Sequence, residues 1–347
     1  MPLKSTANRT TLVDLARDTG LSHMTVQRAL VGSASVRPET REIVLEAAGR
    51  LGYRPNASAR AMRNGRFNHI ALLTSTNWER ANLSGHLIQG IDEVLAEQDL
   101  HLVFARLTDD ALTSGEEMPR IVQQSMIDGL LIKYDNHVPQ RMIDHLQRFQ
   151  IPHVWINVAR DVDCVRPDDL GVARAATERL ISLGHRCISY FDFSYDPDDA
   201  DEHYSSRYRY EGYVDAMQSG GLTVRARRLR TGLATQRNAL IREEFSAATR
   251  PTAVVLCGSE SLLWFAHQEA ASLGLALGRD IQVITLDGDM PEYLGLTLPH
   301  YVVDQVELGR QAARALMRKL EAPTKPLPPV LVPFTWVEKG PALAPPP

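Results

Sequence analysis

The sequence contains few cysteines and no long hydrophobic run. Its three cysteines, Cys164, Cys187 and Cys257, are far apart and lack the spacing of metal ligands. This cysteine usage is typical of a reducing cytoplasm and argues against a disulfide scaffold or a zinc site. No apolar stretch reaches the roughly 18 residues that a membrane-spanning helix needs. The first residues also lack the apolar core of a secretory signal, so we expect a cytoplasmic protein.

Motifs for enzymatic chemistry are also missing. The sequence has no phosphate-binding loop, no dinucleotide-binding glycine pattern, no zinc-protease motif and no nucleophile elbow. Aspartates between residues 196 and 201 lack the glycine and final glutamate of an EF-hand loop, so they favour a solvated loop over a calcium site. We therefore expect no catalytic residue, no metal and no cofactor. An enzyme remains an alternative, and turnover of a bound sugar would support it.

The charge is unevenly distributed along the chain. The whole chain has a net charge of -4, but residues 1–67 carry 11 basic against 5 acidic residues, a net charge of +6. The other 280 residues carry a net charge of -10. A basic end on an acidic body is expected when that end binds a polyanion. A solvated basic tail is the alternative, but apolar periodicity and capping residues indicate that the basic end folds.

Three short helices are predicted in this basic end. The apolar spacing predicts helices over residues 11–18 and 23–30, with Gly20 ending the first and Ser22 capping the second. A third helix is predicted to begin at Pro38 and to end at Gly52. It is predicted to bury four apolar residues, namely Ile43, Val44, Ala47 and Leu51. Two short helices with a tight turn and a closing third helix form a helix-turn-helix unit.

Several motifs in this region resemble the DNA-binding head of the LacI/GalR family of bacterial transcription regulators. They are LA at 15–16 with GLS at 20–22, TV at 25–26 with Arg28, RPETR at 37–41 and GYRPN at 52–56. The resemblance implies that the second helix enters the major groove of DNA. It implies DNA contacts from that helix by His23, Met24, Thr25, Gln27 and Arg28.

The side chains of this second helix suggest how an operator is read. Arg28 can form two hydrogen bonds to guanine, although contact with phosphate alone is the alternative. Met24 would read a base by apolar contact. Gln27 and Val31 stand where the family usually has serine and asparagine, so we expect an operator that differs from the common family sequence.

Residues 56–64 resemble the family's hinge helix, and an ordinary linker is the alternative. The resemblance implies that Met62 wedges between base pairs in the minor groove, where the family commonly has leucine. The implied DNA-binding residues of this segment are Asn56, Ala59, Arg60, Met62 and Arg63. We therefore expect a helix-turn-helix domain at 1–55 and a hinge at 56–67.

Downstream, short apolar runs alternate with helical patterns. Eight strand candidates separated by helices predict an α/β fold with parallel sheets, and two doubly wound lobes accommodate them better than one sheet. We expect the division between lobes near residues 158–168. This body, predicted at 68–340, resembles the family's effector domain, whose fold is similar to that of periplasmic sugar-binding proteins. The motifs that carry this resemblance are IDGL at 127–130, LGHR at 183–186, TAV at 252–254 and PVLVP at 329–333. The proline-rich residues 341–347 predict a disordered tail.

Polar residues that follow the predicted strands are the candidates for binding a ligand between the lobes. From position and family match, they are Asn77, Trp78, Asn157, Arg209, Gly258, Ser259 and Asp287. Planar amide, carboxylate and guanidinium groups suit a ligand with several hydroxyls. Gly258 and Ser259 stand where the family often has Asn-Asp, however, which weakens the expectation of a sugar.

The leading hypothesis is a homodimeric repressor whose affinity for double-stranded operator DNA is controlled by a small ligand, a carbohydrate by first expectation. The chain has no leucine heptad at its end, which favours a dimer over a tetramer. A regulator without a sugar effector is one alternative. A solute-binding protein is another, and the basic end and the missing signal peptide oppose it.

Overall fold

A computed structural model gives the structure of the protein. It describes residues 10–53, 66–77, 82–108, 126–135, 138, 140–194, 203–228, 234–257, 260–286 and 298–346. The chain divides into two compact units, Met1–Phe67 and Asn68–Pro347. This division falls where the charge changes sign. The residues predicted to form the hinge contacts, Asn56, Ala59, Arg60, Met62 and Arg63, lie outside the described residues.

Residues 10–53, the main described part of the first unit, form three helices. They are α1 (Leu12–Thr19), α2 (His23–Leu30) and α3 (Pro38–Arg50). Thr11 and Asp14 form a capping box at the start of α1, and Gly20 ends that helix in the left-handed conformation with φ of 68°. The helices pack on a small core that includes Leu15, Val26, Ala29, Val44 and Ala47. The predicted helix-turn-helix arrangement is confirmed.

One predicted core residue of this domain is wrong. Ile43 is 53% exposed, whereas its neighbour Val44 is fully buried. The buried stripe of α3 runs through Val44, Ala47 and Ala48, with Leu51 packed beside it. Ile43 is one residue, about 100° of helix rotation, away from that stripe. An apolar residue beside the stripe fits the pattern almost as well as one on it, so the sequence did not distinguish the two.

The second unit consists of two lobes, each built on a six-stranded sheet. The first sheet has the order β11-β5-β4-β3-β1-β2, and all of its pairings are parallel. Its strands are β1 (His69–Ser75), β2 (His101–Leu107), β3 (Gly129–Lys133), β4 (His153–Ile156), β5 (Cys164–Pro167) and β11 (Val330–Val332). The helices α4 (Gly85–Glu97), α5 (Gln140–Arg148) and α10 (Gln305–Glu321) accompany it.

The second lobe has the sheet order β12-β10-β9-β8-β6-β7. Its strands are β6 (Ile188–Asp192), β7 (Ala226–Arg228), β8 (Ala253–Cys257), β9 (Gln282–Thr285), β10 (His300–Val303) and β12 (Phe334–Val337). The pairing of β10 with β12 is antiparallel and the others are parallel. Its helices are α6 (Asp169–Ser182), α7 (Tyr204–Ser219), α8 (Ala234–Ser246) and α9 (Glu260–Ser272). The predicted α/β class with two doubly wound lobes is confirmed.

Among the described strands and helices, the chain passes from one lobe to the other after β5, after β10 and between β11 and β12. The first crossing follows Pro167, at the end of the predicted division. After the second crossing, α10 packs closely against α4 of the first lobe. A Cβ on Gly309 would lie 2.2 Å from the carbonyl oxygen of Leu87, so this contact requires glycine. These crossings join the two lobes.

The tail differs from its prediction. Residues 341–346 pack on the second lobe, so the expectation of disorder from proline content is wrong for them. The imidazole of His185, which is fully buried, bonds through Nε2 to the carbonyl oxygen of Ala344 at 2.9 Å. The amide of Ala344 donates to Gln282 at 3.3 Å, and Leu343 contacts the core of the lobe. The composition is that of a disordered segment, but these contacts with a folded lobe hold it in place.

Candidate functional site

The exposed face of α2 is the candidate DNA-contacting surface. His23, Met24 and Arg28 are exposed, and Met24 has 55% of its surface accessible. Thr25 and Gln27 are half-buried. Val26 and Ala29 are buried against the other helices. The predicted division of α2 into an inner apolar face and an outer polar face is therefore present in the structure, although the DNA contacts themselves stay a prediction.

Local hydrogen bonds hold α2 on its scaffold. The hydroxyl of Ser22 accepts from the amide of Thr25 at 3.1 Å, which caps the helix at its N-terminus. Beyond the helix, the guanidinium of Arg41 donates to the carbonyl of Ser33 at 2.8 Å. The cap fixes the N-terminal turn, and that turn carries His23 and Met24. A rigid N-terminal turn lets these side chains keep one orientation toward a major groove.

In the second unit, polar side chains gather at the carboxyl ends of the first sheet. Asn77 follows β1 and is half-buried, and its amide donates to the hydroxyl of Ser75 at 2.9 Å. Lys133 and Asp135 at the end of β3 form a buried ion pair. Asn157 follows β4 and donates through Nδ2 to Oδ1 of Asp135 at 3.1 Å. The structure thus brings Asn157 beside charged groups that the sequence did not single out.

Asn157 also contacts the second lobe. Its backbone has a positive φ of 62°, a conformation that asparagine tolerates better than most residues. Its Oδ1 accepts from the hydroxyl of Tyr204 at 3.1 Å, and its carbonyl oxygen lies 3.1 Å from Nε2 of His203. His203 and Tyr204 begin α7, so Asn157 joins a strand end of one lobe to a helix start of the other.

Arg209, another predicted ligand residue, is held inside the second lobe. Its Nε donates to Oδ1 of Asp169 at 2.7 Å, and the two side chains are 12% and 1% exposed. Asp169 begins α6, and Arg209 lies on α7. Glycine brings these helices together, because a Cβ on Gly212 would lie 2.2 Å from the carbonyl oxygen of Leu170. The ion pair therefore fixes the guanidinium beside the start of α6.

The carboxyl ends of β6 and β7 add a second polar group. The buried carboxylate of Asp192 accepts from the hydroxyls of Ser194 and Ser206, both at 2.5 Å. Arg228, its neighbour on β7, lies 4.1 Å above the ring of Tyr210 and reaches toward Ser206. None of these residues was predicted. Asp192 directly follows an apolar strand, and that signal could have identified it.

The remaining predicted ligand residues lie outside the described residues, namely Trp78, Gly258, Ser259 and Asp287. Within the described ranges, no group of three or more His, Cys, Asp or Glu residues is arranged to hold a metal. None of the helices in those ranges has the length and apolar character to span a membrane.

Two family models match the chain. The model of bacterial regulatory proteins of the lacI family matches residues 11–56, which include α1, α2 and α3. The model of the periplasmic binding protein-like domain matches residues 177–340. The matches agree with the two units of the structure and with the resemblance seen in the sequence.

Named relatives cover most of the chain. The transcriptional regulator AglR of Rhizobium meliloti is 30% identical over 290 residues, 81% of this chain and 78% of that protein. The structure is similar to the lac repressor dimer bound to operator and an anti-inducer, with a TM-score of 0.77 and 20% identity over 97% of this chain and 100% of that one. It is also similar to the transcriptional regulator CelR in complex with cellobiose, with a TM-score of 0.62 and 23% identity over 96% and 100% of the two chains.

The sequence identities to these solved structures are low, so the two structures establish the fold. The match to AglR covers more than two thirds of both chains at 30% identity, and it agrees with the family model over the helix-turn-helix. This protein belongs to the LacI family of bacterial DNA-binding transcriptional regulators.

Proposed function

We propose that the protein represses transcription as a homodimer that binds a pseudo-palindromic operator through α2. The observation that carries this proposal is the outer face of α2, where His23, Met24 and Arg28 are exposed on a capped and packed helix. Such a helix fits the major groove, and a dimer places two of them on neighbouring half-sites. The lac repressor structure contains a dimer on its operator, and that arrangement supports the same assembly here.

Arg28 provides a sharp test of base reading by α2. Fragments selected from genomic DNA by the purified protein would first define the operator. We then expect Arg28→Lys to relax the preference at one base position by about 1–3 kcal/mol, because lysine keeps the charge and loses the two-pronged hydrogen bond. The slope of affinity against salt should stay the same. A uniform loss over all sequences would show that Arg28 contacts phosphate alone.

We also propose that Met62 inserts into the minor groove and bends the operator, together with contacts from Asn56, Ala59, Arg60 and Arg63. An apolar wedge unstacks one base step and kinks the duplex. Met62→Ala should therefore weaken operator binding and reduce the bend angle measured by gel mobility of permuted fragments. Unchanged affinity and bend angle would remove the wedge from the proposal.

For the body, we propose that a small carbohydrate binds where the carboxyl ends of the two sheets meet. The polar residues assembled there, with Asn77, Asn157 and Arg209 among them, offer amide, hydroxyl and guanidinium groups for a ligand rich in hydroxyls. The residues Trp78, Gly258, Ser259 and Asp287 complete this proposed set. The complex of CelR with cellobiose supports a sugar as the ligand class. We expect no catalysis of the bound sugar, and a regulator of this kind acts in the cytoplasm.

Calorimetry against a panel of sugars tests the ligand, and operator binding with and without the sugar tests its effect. A bound sugar should change operator affinity, and the operator should change sugar affinity by the same factor. A regulator without a sugar effector is the second candidate. It is favoured by the bonds that already engage the Asn157 amide and the Nε of Arg209. Absence of heat with every sugar, while the operator still binds, would support this second candidate.

A further inference from the structure

Hydrogen bonds at Asn157 join the two lobes, and one of them involves a titratable side chain. Asn157 is fixed in the first lobe, since its backbone amide donates to the carbonyl of Val165 on β5 at 2.9 Å. Its remaining polar groups bond to His203 and Tyr204 in the second lobe and to Asp135 in its own lobe. We propose that Asn157, His203 and Tyr204 form a pH-sensitive latch that holds the two lobes in the observed arrangement.

The partners of His203 determine where its proton lies. A carbonyl oxygen can only accept, so Nε2 carries the proton that is donated to Asn157. The other nitrogen, Nδ1, then accepts from the hydroxyl of Ser205 at 2.7 Å and from the amide of Ser205 at 3.4 Å. The neutral imidazole thus caps α7 and binds the first lobe at the same time. When Nδ1 is protonated, it can no longer accept from Ser205, and its N–H then faces the backbone N–H of that residue. Nε2 still donates to Asn157, so protonation weakens the latch through the lost cap and through the positive charge that it places on a buried ring.

Burial and the charged groups around His203 shift its pKa in opposite directions. Burial lowers the pKa of His203 and is the largest effect, whereas the carboxylates of Asp135 and Asp169 raise it and the ammonium of Lys133 lowers it. The pKa of His203 in the latched state is below the ordinary value for histidine. The latch therefore contributes its full stabilisation when the pH is above that ordinary value. Its contribution is lost as the pH falls through the lowered pKa.

Arg166 strengthens the contact through the same tyrosine. Its guanidinium lies over the rings of Tyr204 and Tyr208 at 5.2 and 4.9 Å. Arg166 is on β5 of the first lobe and both tyrosines are on α7 of the second, so this is a second connection between the lobes. The Tyr204 ring packs on Arg166 while its hydroxyl bonds to Asn157, and the two contacts can therefore be separated by mutation.

The latch also affects the proposed ligand site, a consequence that rests on the proposed function. The Oδ1 atom that Tyr204 occupies is an atom through which Asn157 would accept a hydrogen bond from a sugar hydroxyl. A ligand that takes this bond must displace the Tyr204 hydroxyl. The latch itself concerns the protein alone and can be measured without DNA or sugar, so it is tested independently of the proposed function.

Distances between the lobes provide the test. Spin labels attached to a ketone-bearing amino acid at the exposed positions Glu97 on α4 and Gln218 on α7 would report the separation of the lobes in the full-length protein. With the labelled protein diluted into unlabelled protein, so that only distances within one chain are measured, we expect one narrow distance at pH 7.5 and a second, altered distance at pH 5. In the parent protein, the appearance of that second population marks release of the latch.

Two variants separate the parts of the latch. His203→Asn keeps a good capping residue but removes both the titrating group and the bond to Asn157. We expect a roughly fivefold rise in the ratio of released to latched protein at pH 7.5, the effect of one hydrogen bond, and no further change at pH 5. Tyr204→Phe keeps the ring on Arg166 and removes the hydroxyl. It should raise the ratio by a similar factor and retain the pH dependence.

His86→Asn is the matched control, because His86 is an exposed histidine near the start of another helix, α4. It should behave like the parent protein at both pH values. Parent-like distances in His203→Asn at both pH values would overturn the latch, and so would a pH-induced change that persists in that variant. Parent-like distances in Tyr204→Phe at both pH values would overturn it as well.

Discussion

Replacing Asp169 by asparagine should destabilise the second lobe much more than loss of a surface ion pair. The carboxylate of Asp169 is 1% exposed and lies 2.7 Å from Nε of Arg209, which is 12% exposed. At this separation two unit charges attract by about 6 kcal/mol with an effective dielectric constant of about 20. Breaking a buried pair on one side costs about 3–5 kcal/mol, because the remaining charge stays buried. The asparagine oxygen still accepts one hydrogen bond, worth about 1 kcal/mol, so we expect a loss of about 2–4 kcal/mol.

The same two helices provide a control for this experiment. Arg174 on α6 and Asp215 on α7 form an ion pair at 2.9 Å, but their side chains are 47% and 51% exposed. Asp215→Asn should therefore cost less than about 1 kcal/mol. Urea unfolding of both full-length variants, followed by circular dichroism, would give the two changes in the free energy of unfolding. Equal losses in the two variants would refute the argument that burial makes the Asp169 pair important.

Three further predictions concern the same body. Gly212→Ala should lower the free energy of unfolding by at least about 1–3 kcal/mol in thermal unfolding, because its Cβ would lie 2.2 Å from a carbonyl oxygen of α6. Gly49→Ala, in the open part of α3 in the first unit, is the contrasting variant and should raise that free energy by about 0.5–1 kcal/mol. Glu244 is buried, which raises its pKa, but hydrogen bonds from Ser189 and Arg225 hold the pKa below its ordinary value of 4.5. The stability advantage of the parent over Glu244→Gln should therefore be complete above pH 4.5 and shrink as the pH falls through the lowered pKa, and an advantage constant with pH would contradict this. Deletion of residues 341–347 should lower the free energy of unfolding by about 1–3 kcal/mol, because it removes the carbonyl oxygen of Ala344 that accepts from the buried imidazole of His185, and thermal unfolding at an unchanged temperature would be the contrary result.

The helices α1, α2 and α3 could be predicted almost completely because their signals are local. Thr11, Gly20, Ser22 and Pro38 mark the helix boundaries within a few residues of each helix. Local signals do not decide whether Ile43 or its neighbours on α3 are buried. The packing of α1 and α2 on α3 decides which part of the apolar stripe faces inward.

The order of strands and helices in the body could also be predicted from the sequence, but the contacts between the lobes could not. Asn157 was found because it follows an apolar strand, whereas its partners Asp135, His203 and Tyr204 are 22, 46 and 47 residues away. No spacing rule connects such positions. The prediction for the tail was wrong for the same reason. Proline content describes an isolated segment, whereas the partner of Ala344, His185, lies 159 residues before it in the chain.

The contacts of Asn157 and Arg209 suggest how a ligand could act on the lobes without a long pathway. A ligand shifts an equilibrium between two arrangements only by the difference in its affinity for them. Asn157 joins the lobes and Arg209 joins α6 to α7, so the side chains proposed to bind the ligand are also those that maintain the structure. Each hydrogen bond that a ligand exchanges for a protein bond is worth about 0.5–1.5 kcal/mol. The two bonds that Asn157 makes across the lobes, to His203 and Tyr204, together reach the roughly 1–3 kcal/mol that couples sites in allosteric proteins, and contact and coupling are then the same event.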